Sequence, residues 1–243
     1  MHIIPVIDLL NGVVVHAKQG QRHQYQPVQS ALTASAKPLD IVKAFSDIYP
    51  FKTLYIADLN AIQRLPDANQ HHTIIATILD TFPELTIWID AGIQNVSDTQ
   101  YWQQAKIKPV IGTENMRHMD DYVAIQQTLV DDFVLSLDFM PNGYQGPNPL
   151  VQDQQTWPQA VIAMTLKQVG TQSGVDITIL HQIIKQAHQQ HIYAAGGVRN
   201  LLDLMQLRDM QVYGALVASA LHSKQINRAD LDLLYSTDKK TPG

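Results

Sequence analysis

The sequence predicts an α/β protein of the (β/α)8 barrel (TIM barrel) class, built from two half-barrel repeats, and three observations carry that prediction. Eight short apolar runs, six of them ending in Asp or Gly, alternate with segments of helical periodicity. The runs are continuously apolar, as in parallel strands buried on both faces, rather than alternating as in a half-exposed sheet. The chain has 243 residues, close to the ~250 of a typical barrel. A doubly wound open sheet shares the alternation and is the second architecture weighed. No linker-like shift in composition interrupts the chain, so residues 1–243 are expected to form one barrel domain.

The first strand is Ile3-Ile4-Pro5-Val6-Ile7-Asp8, five apolar residues running into one carboxylate. Asn11-Gly12 is a hairpin signal, and Val13 to His16 should return as a short strand. A polar stretch from Lys18 to Ser35 reads as a long loop at the barrel mouth, and such loops are often functional. Pro38 opens a helix to about Tyr49, with Leu39, Val42, Phe45 and Ile48 on one face. Thr53 to Asp58 is the second strand, followed by a helix from about Asn69 to Asp80. Thr86 to Asp90 is the third strand, with a helix over Ser97 to Ala105. Lys108 to Ile111 is the fourth strand, ending at Gly112-Thr113, with a helix over Asp120 to Leu129. Phe133 to Asp138 is the fifth strand, and a second long loop runs from Pro141 to Trp157. Ala160 to Thr165 is the sixth strand, with a helix over Asp176 to Gln189 capped by Asp176. Ile192 to Ala195, ending at Gly196-Gly197, is the seventh strand, with a helix over Leu201 to Arg208. Gly214 to Val217 is the eighth strand, Asp230 to Tyr235 a last helix, and Lys239 to Gly243 a frayed tail.

The two halves resemble each other. Gly92-Ile93-Gln94-Asn95 matches Gly197-Val198-Arg199-Asn200, and Asp98 matches Asp203, both at a separation of 105 residues. Val110-Ile111-Gly112 matches Leu216-Val217-Ala218 one residue out of that step. A preserved spacing across two strand ends implies two half-barrels about a pseudo-twofold axis. Asp8 and Asp138, at the ends of strands one and five, then face each other across the mouth.

The composition bounds the partners. A net charge of −5 lacks the basic footprint of a nucleic-acid binder. No apolar run approaches the ~20 residues of a membrane span. Met1 leads directly into a strand, so no signal peptide is expected and the expected location is cytoplasmic. With no cysteine there is no disulfide, thiolate ligand or thiol nucleophile. His71, His72, His188 and His191 do not stand at a zinc-helix spacing and are expected to be exposed. No metal or other cofactor is expected.

In a barrel of this class, side chains at the carboxyl ends of the strands form the active site. Two opposed carboxylates, Asp8 and Asp138, suit general acid and base work on one substrate. Glycine-rich turns after strands three, four, seven and eight let backbone N–H groups approach an anion. The substrate or phosphate contacts expected on these grounds are Gly92, Gly112, Gly196 and Gly197. His16, Arg22 and Tyr25 on the first loop are further contacts to an anionic ligand. Asp58 stands at a strand end, where substrate contact and structural hydrogen bonding are both open, and Asp90 at the next is open between a new specificity contact and a lost site.

The opening Ile4-Pro5-Val6-Ile7-Asp8-Leu9-Leu10-Asn11-Gly12-Val13-Val14-Val15, together with Ser136-Leu137-Asp138, Gly196-Gly197-Val198 and the half-barrel repeat, resembles the histidine-biosynthesis (β/α)8 barrel family. That family comprises the phosphoribosylformimino-aminoimidazole-carboxamide ribotide isomerase and the cyclase subunit of imidazole glycerol phosphate synthase. The resemblance covers essentially the whole chain and is closer to the isomerase, in which a Gln-Gly, here Gln19-Gly20, follows the first hairpin. It implies an Amadori rearrangement, an aldose-to-ketose isomerisation of an N-linked ribose phosphate, with Asp8 and Asp138 as the acid–base pair and a small phosphorylated metabolite as substrate. It places phosphate turns at Gly92, Gly112, Thr113, Gly196 and Gly197, with Gly170-Thr171 near the strand-six Asp-Gly-Thr of the family.

The departures from the family pattern are as specific. The usual Gly-Gly-Gly turn is Asp90-Ala91-Gly92 here, and an Asp90 in a phosphate turn repels a phosphate. The strand-six Thr-Asp is Met164-Thr165, Asp-Gly-Thr is Val169-Gly170-Thr171, and Val-Gly-Arg-Ala-Leu is Val217-Ala218-Ser219-Ala220-Leu221, where the Ala218 β-carbon crowds the second phosphate site and Ser219 is left as a hydrogen-bond donor to the ligand. The Arg expected after strand one is His16. Arg22-x-x-Tyr25-x-Pro27 and the Asp-Ala-Gly turn resemble a divergent branch found in methylotrophs and archaea beside genes for C1-carrier cofactors, methanopterin or methanofuran. The expected function is therefore an Amadori-type isomerase, in histidine biosynthesis or as a paralogue in C1-carrier cofactor biosynthesis. The alternatives are a cyclase or lyase subunit, which alone would call for an amidotransferase partner, and a non-catalytic ligand-binding barrel.

Overall fold

A computed structural model describes residues 1–18, 20–66, 70–130, 132–170 and 174–238. Thr171 of the expected site, Gln19, Asn69 and the tail from Lys239 lie outside these residues. Eight parallel strands close into a barrel: β1 (His2–Leu10), β2 (Thr53–Asp58), β3 (Thr86–Asp90), β4 (Ile107–Gly112), β5 (Val134–Met140), β6 (Ala160–Thr165), β7 (His191–Ala195) and β8 (Gly214–Val217). Helices follow them in turn: α1 (Pro38–Ile48), α2 (Gln70–Thr81), α3 (Val96–Thr99), α4 (Met119–Leu129), α5 (Asn148–Gln152), α6 (Ile177–Gln186), α7 (Leu201–Asp209) and α8 (Arg228–Asp238).

The last strand pairs with the first, His2 beside Gly214 and Pro5 beside Val217, and this pairing excludes the open sheet. Followed from strand to strand, the residue registers return to β1 displaced by eight residues, the shear of an eight-stranded barrel of this class.

The local chemistry explains the elements. Pro38 sits in the first turn of α1, where its missing N–H costs nothing, and Ile41, Val42 and Phe45 bury one face. The Asp176 carboxylate caps α6, accepting from the Ile179 amide at 3.1 Å, and Leu180 and Ile183 turn inward. Each such aliphatic burial stabilises by about 1.5–3 kcal/mol. The core has two compartments. Ile7, Leu9, Ile56, Ile87, Ile111 and Leu137 pack between the strands and the helices. Ile4, Tyr55, Trp88, Val134, Ile162, Tyr193 and Leu216 fill the barrel interior, where Trp88 meets Tyr193 edge-on at 4.8 Å.

The sequence pattern misses the short pieces. The helix expected over Ser97 to Ala105 is one turn, α3, continued as 3-10 helix over Gln100–Trp102. α6 stops at Gln186, not Gln189. The loop from Pro141 contains an antiparallel strand Gly143–Gln145, α5 and a 3-10 turn Gln154–Thr156. Single helical turns Leu59–Ile62 and Ser219–His222 follow β2 and β8 directly. All of these are too short to show periodicity.

Candidate active site

The carboxyl ends of the strands surround a cavity of about 310 Å3, whose wall includes Asp8, Asp90, Glu114 and Asp138 together with Gly170, Gly196, Gly197 and Ser219. The register explains which strand-end residues reach it. Asp8 pairs with Ala57, and Ala57 with Asp90, so these three share the inward phase. Asp138 pairs with Met164, Met164 with Ala195 and Ala195 with Leu216, and all four line the cavity.

Asp58 is one residue out of that phase. It is completely buried outside the cavity. Its Oδ1 accepts from the Ala61 amide at 3.0 Å and lies 2.7 Å from His71 Nδ1. On the other side of the ring, His71 Nε2 accepts from the Gly12 amide at 3.0 Å. An amide can only donate, so in this arrangement the ring proton is on Nδ1 and points at Asp58. Asn11 and Asn60 reinforce the link, the Asn11 amide donating to Asn60 Oδ1 at 2.9 Å. Asp58 therefore ties the first hairpin to the end of β2, and His71, expected to be exposed, is fully buried.

The three inward aspartates have raised pKa values, and burial is the first cause for each. Asp138 is pushed up to about 8, also by the nearby Glu114 charge, although the Glu114 amide (2.9 Å) and the Ser136 hydroxyl (2.7 Å) donate to its carboxylate. Asp8 is pushed up to about 7, with Arg22 pulling against burial and Asp90 adding to it. Asp90 is pushed up to about 6, held back by the Gly92 amide at 3.0 Å and the Tyr55 hydroxyl at 3.3 Å. Burial and the carboxylates push Tyr55 well above its usual range and Tyr25 to about 12, so both phenols remain donors. Arg22 reaches into the cavity and pairs with Glu114.

Elsewhere in the wall, Ser219 Oγ lies 3.2 Å from His16 Nε2. Behind it His222 is buried against Phe45, its Nδ1 3.1 Å from Ser30 Oγ, and burial lowers its pKa to about 4. Gly196 and Gly197 have φ of +96° and +89°, and a Cβ on Gly197 would lie 2.2 Å from the Gly174 carbonyl oxygen. Only glycine tolerates this turn.

The structure thus gathers Asp8, His16, Arg22, Asp90, Asp138, Gly170, Gly196, Gly197 and Ser219 around one cavity, with Tyr25 in its wall. It does not bring Asp58, Gly92, Gly112 or Thr113 to that wall. Gly92 and Thr113 are buried behind it, Thr113 Oγ1 accepting from the Asp138 amide at 2.9 Å. Tyr55, Glu114 and His222 were not singled out from the sequence. Strand alternation could have found Tyr55, two residues before the inward Ala57. Nothing in the local sequence marks Glu114 or His222.

The chain matches the family model described as histidine biosynthesis protein over residues 2–227. It is 30% identical over 233 residues to an uncharacterized protein of Methanocaldococcus jannaschii, spanning 91% of this chain and 93% of that one. It is 24% identical over 248 residues to the 1-(5-phosphoribosyl)-5-((5-phosphoribosylamino)methylideneamino)imidazole-4-carboxamide isomerase of Campylobacter hominis, spanning 96% of this chain and 99% of that one. An isomerase of the same name from Bacillus cytotoxicus is 24% identical over 242 residues, spanning 93% and 95%. Among the described residues, no helix is long and apolar enough to cross a membrane.

Proposed function

We propose an activity from one premise: the chain belongs to the histidine biosynthesis protein family. The activity is an Amadori-type isomerisation of a phosphorylated aminosugar conjugate, with Asp8 and Asp138 as the acid–base pair. The observation that carries this reading is the placement of both carboxyls in the wall of one cavity, with pKa values raised to about 7 and about 8. Near neutral pH such a pair holds one proton between two carboxyls, so an acid and a base are present together.

The chemistry balances with these two groups alone. The protonated carboxyl gives its proton to the ring oxygen of the aminosugar, the C1–O bond breaks, and the nitrogen lone pair forms a C1=N bond. The ionised carboxylate takes the proton from C2, whose electrons form C1=C2 as the C1=N pair returns to nitrogen. C1 then accepts a proton while the C2 hydroxyl loses its own, leaving a ketone at C2 and an amine-bearing CH2 at C1. Asp138 would be oriented for this by its bonds from Ser136 and the Glu114 amide. Asp8 would be oriented by its strand position, with Arg22 near enough to hold its charged form. The Gly196-Gly197 turn, Ser219 and His16 would receive a phosphate elsewhere in the wall. The isomerase names of the relatives support an isomerase of this family. The altered strand-end turns support a paralogue's substrate over the orthodox one.

Complementation of an isomerase-deficient histidine auxotroph tests the reading, with Asp8→Asn as control. Growth that depends on Asp8 establishes the orthodox isomerisation. No growth with soluble, folded protein rules out that substrate and leaves the paralogue reading to assay on other aminosugar phosphates.

A further inference from the structure

The two half-barrels carry the same turn but use it differently. After β3 the Gln94 amide donates to Asp98 at 2.9 Å, and Asn95 Oδ1 accepts from the Asp98 amide at 3.3 Å. After β7 the Arg199 amide donates to Asp203 at 2.8 Å, and Asn200 Oδ1 accepts from the Asp203 amide at 3.2 Å. The β7 turn opens on the cavity, with Gly196, Gly197 and Val198 in its wall. The β3 turn is sealed. The Gly92 amide is held by Asp90, its carbonyl accepts from Arg64 at 3.2 Å, and a Cβ there would lie 2.7 Å from Ile62 Cα. The Leu59–Ile62 turn stands where an anion would enter, with Leu59 and Ile62 themselves in the cavity wall.

What the cavity offers instead is carboxyl groups. Asp8, Asp90, Glu114 and Asp138 all line the cavity, and Arg22 is the one Arg or Lys among its described lining residues, already paired with Glu114. A phosphate beside the Asp90 carboxylate meets like charge and is strongly opposed. A carboxylate accepts hydrogen bonds from hydroxyl or amino groups, and the Tyr55 hydroxyl beneath Asp90 keeps its orientation fixed.

We propose that this cavity takes a substrate with one phosphate rather than two: the phosphate sits at the Gly196-Gly197 and Ser219 wall, and the far end is a hydroxyl- or amine-bearing group received by Asp90 as the specificity-determining residue. The inference rests on the cavity being the substrate site of the proposed isomerase. It departs from the relatives, whose name describes a substrate with two phosphoribosyl groups.

Binding measured without turnover tests it. Inorganic phosphate, a linear pentitol monophosphate and the matching bisphosphate are titrated calorimetrically into the wild type and Asp90→Asn. The Asn amide oxygen can still accept from Gly92, so the fold is retained, and circular dichroism checks this. The expected result is one phosphate bound per chain and a monophosphate preferred over the bisphosphate by at least about tenfold. Asp90→Asn should shrink that preference about tenfold. Two phosphates bound, a bisphosphate preferred, or no phosphate bound overturns the inference. The wild-type preference decides the matter even if Asp90→Asn does not fold. One-phosphate binding with no isomerase turnover on any aminosugar phosphate would instead overturn the isomerase reading and leave the single-anion site standing.

Discussion

Asp90 and Asp138 flank the space left by the missing side chain of Gly112: a Cβ there would lie 3.2 Å from Asp138 Oδ2 and 3.6 Å from Asp90 Oδ2. Both carboxylates therefore share one floor beneath the cavity, and neither can ionise without the other feeling it. Gly112 matters as a space between two acids rather than as an anion-binding turn.

Turnover should follow a narrow bell in pH. The rising limb reports ionisation of the base and the falling limb loss of the acid's proton, with apparent values near 7 and 8. A kcat/KM profile across about pH 5 to 10 checks this. A profile that shows no fall on either side of about pH 7 to 8 contradicts it.

The ligand-free protein should lose stability as pH rises from about 4 to about 8. Asp8, Asp90 and Asp138 titrate at about 7, 6 and 8 when folded, above their ordinary 3.8, so the folded state binds more protons in this window. The slope of unfolding free energy with pH is then negative. His222 acts oppositely, because its pKa is lowered to about 4 and protonation between about 6.5 and 4 favours unfolding. Urea unfolding of the wild type and Asp138→Asn separates the two. The variant should lose less stability than the wild type between about pH 5 and 8, and equal losses contradict the account.

His71→Ala should destabilise the protein by about 3 kcal/mol without altering the cavity wall. It leaves the Asp58 carboxylate and the Gly12 amide without their shared partner inside the protein. Urea unfolding measures the loss, and phosphate titration at a temperature where the variant is folded should be unchanged.

Gly197→Ala should cost at least about 1 kcal/mol and weaken phosphate binding together. Its positive φ and the 2.2 Å approach to the Gly174 carbonyl force the turn to move. A thermal melt and a phosphate titration read both effects. A variant with wild-type melting and wild-type affinity contradicts an anion role for this turn.

The architecture was legible because apolar runs ending in Asp or Gly recur at spacings that only a repeated strand–helix unit explains. The Gly-x-x-Asn-x-x-Asp repeat also predicted two equivalent turns, and the structure gives both the same hydrogen bonds. What the sequence hides is phase. Asp8, Asp58, Asp90 and Asp138 all end apolar runs, but a side chain reverses face with every residue. Asp8, Asp90 and Asp138 point into the barrel, whereas Asp58 falls one position off and turns to His71. Likewise the two glycine turns read alike in sequence, and only the packing of Ile62 against Gly92 distinguishes the sealed one. Glu114 and His222 reach the cavity by tertiary placement alone.

The most direct test is turnover of N-linked phosphoribosylamine conjugates by the wild type, Asp8→Asn and Asp138→Asn, each shown to be folded by circular dichroism. The account predicts conversion of the aldose to the ketose by the wild type and a loss of about 100-fold or more in kcat for each variant. Conversion that survives either substitution would contradict the acid–base pair, and a folded wild type that converts no such conjugate would contradict the isomerase itself.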